Sequence, residues 1–155
     1  MKKLLHFKFV IILLASFLTH CQHEKNGLNQ MDDRVKYDVE INYSDYSNRS
    51  KSEHINSLFA KDSLYLFVEV GFKNDLLSVY INGDQVIKDT ISTEDQSGYA
   101  AHYTLGKLPN VKQLGVRINN GKLALMEISN MNLINLNFRD EKLILSVLDN
   151  VPFYD

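Results

Sequence analysis

A single cysteine and no tryptophan stand among the 155 residues, and prolines number two and glycines seven. One cysteine excludes an internal disulfide, so a hydrophobic core must hold the fold without the covalent framework common in small secreted domains. The lack of tryptophan removes the strongest sign of a sugar-stacking platform. Positive charge is not in excess either: 17 basic against 19 acidic side chains leave a formal balance of -2. That balance gives no electrostatic reason to expect nucleic acid as a partner. Beyond His20 and His23, which flank Cys21, no two histidines lie three or four residues apart, and there is no cysteine cluster, calcium loop, Gly-rich phosphate loop or dinucleotide fingerprint, so no cofactor is expected. Nowhere do apolar residues form a helical stripe of three turns.

What is present begins at the N-terminus. Met1-Lys2-Lys3 is followed by an apolar run from Phe9 to Leu18 and then by Thr19-His20-Cys21. A basic start and about ten apolar residues match a signal peptide. A helix of ten residues rises only about 15 Å, half the hydrocarbon thickness, so a permanent transmembrane helix fits less well.

Leu18-Thr19-His20-Cys21 resembles the bacterial lipoprotein signal, in which a leucine three places before the cysteine precedes small residues and the thiol receives diacylglycerol. Cys21 matches the lipidated cysteine and Leu18 the leucine, while His20 departs from the usual glycine, alanine or serine. The style of the chain is similar to lipoproteins of the Bacteroidota. The resemblance implies removal of residues 1–20, acylation of Cys21 and a lipid-anchored place in the bacterial cell envelope, at the outer membrane. It covers only this leader. Loss of Lys2, Lys3 and Lys8 with the leader leaves fourteen basic and nineteen acidic side chains, a balance of -5. Residues 21–34 are polar and aperiodic and read as a flexible tether.

Residues 35–155 read as one all-β domain. Val35, Tyr37, Val39, Ile41 and Tyr43 alternate with polar residues, the pattern of a half-buried strand. Segment 44–61 is polar and reads as a loop with one helical turn near Ile55, Leu58 and Phe59. Further strands are expected over 63–72, 76–82, 85–91, 99–105, 112–118, 122–128, 132–138 and 142–148. Asn82-Gly83-Asp84, Asn119-Asn120-Gly121 and Arg139-Asp140-Glu141 are the expected hairpin turns. The sum is an antiparallel β-sandwich of eight or nine short strands, with a small barrel as the alternative. Lys112, Arg117, Lys122, Lys142 and Glu69 read as charges on solvated faces that discourage edge pairing.

No catalytic site is identifiable. After the leader, the histidines are His23 in the tether, His54 in the polar loop near Glu53, Ser52 and Ser57, and His102 on a strand. Asp84, Asp89, Glu94 and Asp95 fall in one hairpin and its following loop, and are the only weak candidates for a metal, calcium. Tyr46, His54 and His102 are the candidates for a binding surface, supported by eight tyrosines and eight phenylalanines. Tyrosine suits an interface because it joins apolar area to a hydroxyl. The function expected is a lipid-anchored interaction module with a protein or peptide partner. By size and address it resembles accessory subunits, inhibitors and immunity proteins. A carbohydrate-binding accessory and a small envelope hydrolase are the alternatives.

Overall fold

Alternation at period two decides which side chains turn inward, and the computed structural model, which describes residues 36–43 and 56–152, places the alternating segments as strands. Nine are found among the described residues: β1 (Asp38–Asn42), β2 (Ser63–Val68), β3 (Asp75–Ile81), β4 (Asp84–Ile91), β5 (Ala101–Lys107), β6 (Gln113–Ile118), β7 (Ala124–Glu127), β8 (Leu133–Arg139) and β9 (Lys142–Val147). They form a five-stranded sheet of order β1-β9-β8-β2-β5 and a four-stranded sheet of order β4-β3-β6-β7. The sheets stack as a sandwich with open sides and do not close into a barrel. The leader, the tether with Cys21, and Val35 lie outside the described residues, as do the loop positions 44–55.

Leu64, Leu66 and Val68 of β2, Leu77 and Val79 of β3, Leu114, Val116 and Ile118 of β6, and Leu143 and Leu145 of β9 all bury into one shared core. Each fully buried aliphatic side chain of this kind contributes roughly 1.5–3 kcal/mol relative to exposure. β2 is buried on both faces. Its outward residues Tyr65 and Phe67 are covered by a second cluster with Phe59, Leu133, Leu148 and Val151. Asn56 fastens this cover: its Oδ1 accepts from Val151 N at 2.8 Å, and its Nδ2 donates to Asn150 Oδ1 at 2.9 Å. Asn56 and Ser57 sit in the helical turn expected here.

Three features depart from the sequence reading. First, β1 pairs with β9 and β2 with β8 in parallel, so the five-stranded sheet is mixed. The chain leaves this sheet after β2 and β5 to build the other one, and each re-entry is free to run in either direction; a face pattern does not encode that choice. Second, the expected strand 63–72 stops at Val68 and turns into the second sheet, with Gly71 at φ 96 and Asn74 at φ 53 forming the corner. Third, two of the five charges assigned to solvated faces are otherwise placed. Glu69 is 5% exposed, and its Oε2 accepts a hydrogen bond from Asn135 Nδ2. Arg117 is half-buried, its guanidinium lying 5.7 Å above the Tyr80 ring. Lys112, Lys122 and Lys142 are exposed as expected.

The hairpin turns fall where Asn and Gly predict them. Asn82 (φ 53) and Gly83 (φ 96) join β3 to β4. Asp140 (φ 50) and Glu141 (φ 58) form the two-residue turn between the paired Arg139 and Lys142. A positive φ at glutamate costs about 1–2 kcal/mol, and glycine's larger unfolded-state entropy returns only about 0.5–1 kcal/mol of a replacement's gain. Glu141→Gly is therefore expected to stabilise the domain by about 0.5–1 kcal/mol. The check is a higher urea midpoint at unchanged m-value.

Candidate functional site

The two outer faces of the sandwich differ. That of the five-stranded sheet is covered over β2 by the chain's own segments around Phe59 and Val151. On the four-stranded sheet, inward Leu77, Val79, Leu114, Val116, Ala124 and Met126 fix the opposite set as outward. That set is Leu76, Ser78 and Tyr80 on β3, Gln113, Gly115 and Arg117 on β6, and Leu125 and Glu127 on β7. Leu125 is 48% exposed, and Leu123, just before β7, is 40% exposed. Lys88 of β4 pairs in register with Ser78, and Arg117 pairs with Ser78 from the other side.

Gly115 gives this face its shape. A methyl group there would lie 3.2 Å from Tyr80 Cβ, 3.3 Å from Leu125 Cδ2 and 3.5 Å from Leu123 Cδ1. Those three side chains therefore converge over the glycine, which is buried beneath them and leaves them room to meet. Arg117 closes one end: its Nη2 donates to the Tyr80 hydroxyl at 2.8 Å. Its Nε is buried and has no hydrogen-bond partner. Glu127 closes the other end, its Oε1 accepting from Gln113 Nε2 at 2.8 Å. No carboxylate among the described residues pairs with Arg117 or Lys88. Single exposed leucines are ordinary. Two of them, joined to a tyrosine around a glycine and flanked by an arginine, make a contiguous apolar patch with a polar rim.

His102 is exposed on β5, an edge strand, on the outer face of the five-stranded sheet. Its ring stacks on Phe67 at 6.1 Å, and its Nδ1 lies 2.7 Å from the Tyr99 hydroxyl. Tyr46, His54 and Cys21 lie outside the described residues. Asp84 and Asp89 are spread along β4, five residues apart and so roughly 17 Å in an extended strand. Glu94 accepts from Ser97 Oγ at 2.9 Å in the following loop, where Asp95 is exposed. No three His, Cys, Asp or Glu among the described residues come together as a group able to hold a metal. Asp89 points inward from the β4 edge and accepts from the Tyr103 hydroxyl at 2.9 Å, linking β4 to β5 across one open side of the sandwich. An inward charge on an edge strand also discourages pairing with a foreign strand. A separate open cleft of about 410 Å3 is lined by Lys36, Tyr37, Asp38, Asp140 and Glu141.

In the sequence Arg117 reads as an edge-blunting charge, and the patch around it is hidden. The signal was in 122–128: Leu123 and Leu125 are apolar at positions that an edge strand leaves to solvent.

No family model, curated protein or solved structure matches the chain. Among the described residues no helix is long and apolar enough to cross a membrane. The reading of the surface therefore rests on its own geometry.

Burial is the first cause that raises the Tyr37, Tyr99 and Tyr103 hydroxyls above the usual tyrosine value, and at Tyr103 the hydrogen bond and charge of Asp89 add to it. A raised pKa means the folded state keeps the proton after the unfolded chain has lost it. The stability these neutral phenols contribute is thus full below about pH 10, the unfolded value, and falls as pH rises above it. Urea midpoints measured from pH 8 to 11 should decline above about pH 10, and Tyr103→Phe should make the decline shallower. An unchanged slope in that variant would remove Tyr103 from the account.

Proposed function

We propose that this chain is a lipoprotein of the bacterial envelope, anchored through acylated Cys21 at the outer membrane, whose β-sandwich serves as an interaction module for a protein partner. The observation that carries the interaction reading is the outer face of the β4-β3-β6-β7 sheet, which no other described segment covers. There Leu123, Leu125 and Tyr80 surround Gly115, and Arg117 is held in place with no carboxylate of its own. Apolar anchors beside an arginine are the usual make-up of an interface centre. The leader pattern around Leu18 and Cys21 supports the address, and two or three acyl chains on one cysteine hold far more durably than one.

The features that would favour the alternatives are already engaged. The Tyr80 ring carries the Arg117 guanidinium, which hinders stacking of a sugar on that face. His102 Nδ1 faces the Tyr99 hydroxyl, a tyrosine and not an activated nucleophile.

The test is a photo-crosslinking side chain at position 125 of the full chain in its own membranes, with the same group at exposed Lys73 as control. An adduct with a defined protein from position 125, absent from position 73 and weakened by Arg117→Glu, is expected. Adducts at neither position, or equally at both, would sink the interaction reading. The address is tested separately: Cys21→Ser should move the protein from the membrane to the soluble fraction, and retention in the membrane would overturn the anchor.

A further inference from the structure

The uncovered face is charged unevenly along its strands. We infer that its partner is a second copy of this chain, docked face to face about a twofold axis that crosses β6 and β7 at Gly115 and Leu125. The inference rests on the interaction reading above and names its partner.

An isologous contact joins a surface to itself, so the surface must be self-complementary under the rotation. A twofold axis lying between two facing sheets and crossing their strands reverses each strand's direction, exchanging one end of the face with the other. Gly115 and Leu125 are paired in register. Arg117 lies two residues to one side of them along β6, and Glu127 two residues to the other side along β7. Each is roughly 7 Å from the axis in an extended strand. The rotation therefore brings Arg117 of one copy over the Gln113 and Glu127 pair of the other, and the reverse contact follows from symmetry. Lys88 adds positive charge at the Arg117 end of the same face, where both pair with Ser78. At the centre, Leu125 meets Leu125 across the axis.

Size decides how strong such a dimer is. Four strands about 4.8 Å apart and some six residues long make a patch of roughly 400 Å2 in projection on each copy. The two copies together would bury roughly 800 Å2, below the about 1,200–2,000 Å2 of stable specific interfaces. The association is expected to be weak in free solution and to be raised by confinement of both copies to one membrane, where effective concentration replaces missing area.

The experiment is disulfide trapping of the full chain in its own membranes. Leu125→Cys places the new thiol at the axis, the parent chain controls for Cys21, and Lys73→Cys controls for chance collision. Oxidation of the Leu125→Cys chain should give a homodimer band that is absent from both controls. Adding Arg117→Glu should cut its yield by roughly fivefold or more, and Glu127→Arg should do the same. Combining the two should restore it, because both reversed contacts are then again of opposite sign. A Leu125→Cys chain that reacts with a maleimide yet forms no homodimer would overturn the inference, as would a homodimer indifferent to the charge reversals. A disulfide from position 125 to a different protein would overturn the second copy as partner while upholding the interaction reading. No disulfide and no photo-adduct at 125 would remove both.

Discussion

Gly71→Ala is expected to destabilise the domain by about 4 kcal/mol or more, enough to unfold much of a population whose total stability is about 5–15 kcal/mol. Gly71 has φ 96, and a Cβ at this position would lie 1.8 Å from the Phe138 carbonyl oxygen and 2.8 Å from its carbonyl carbon. These are backbone atoms of β8, so no side-chain rotation relieves the overlap. The carbonyl also cannot swing away independently, because Phe138 N is bound to Val70 O at 2.9 Å beside it. Relief requires moving the whole corner or the end of β8. Either shift reaches the core, since the Phe138 ring packs at 5.7 Å from Tyr37 and 6.4 Å from Phe72. Gly83→Ala is the paired control. It has the same φ of 96 but nothing within 4 Å of the added carbon. Its cost should be only the backbone term, about 1–2 kcal/mol. Urea unfolding of the two variants separates overlap from conformational strain: equal midpoints would mean that β8 yields to the added methyl.

That corner also marks how far the sequence could be read. The alternation from Val35 to Tyr43 and the Asn-Gly turn at Asn82 are local signals, and each was followed by the element it announced. The run from Ser63 to Phe72 reads as one strand because its apolar residues continue past Val68, yet the chain changes sheets at Gly71. Local hydrophobicity is the same on both sides of such a corner. Strand partners were illegible for a similar reason: the parallel pairing of β2 with β8 joins segments some seventy residues apart, and each presents the same face pattern whichever direction its neighbour runs. Burial of Glu69 was illegible because the cover on that face comes from distant residues, with Asn135 supplying the hydrogen bond. The candidate surface was half legible. Leu123 and Leu125 break the alternation expected of an edge strand, but only the fold shows that Gly115 lies between them and Tyr80.

Tyr37→Phe is expected to cost about 2–3 kcal/mol, although it removes a single oxygen and leaves the ring in place. The hydroxyl accepts from Ile118 N at 3.0 Å and donates to Lys122 O at 2.8 Å. It thereby joins the segment leading into β1 to the β6–β7 turn of the other sheet, across the side of the sandwich opposite the Tyr103 and Asp89 link. The fit is close: a methyl at Gly121 in that turn would lie 2.2 Å from Tyr37 Cε1. Phenylalanine would keep the edge-on contact with Phe138 but leave the buried Ile118 amide without its acceptor. An unsatisfied buried donor of this kind carries its full desolvation penalty, which is why the loss exceeds the worth of an average hydrogen bond. The effect should also be local in hydrogen exchange, with the Ile118 amide losing protection before the neighbouring β3 and β6 amides do. Among the described residues β1 is hydrogen-bonded only to β9 within its sheet, so Tyr37 is its second hold on the domain. A midpoint change equivalent to less than about 0.5 kcal/mol would mean that water replaces the hydroxyl at Ile118, and that β1 is held by β9 and its apolar face alone.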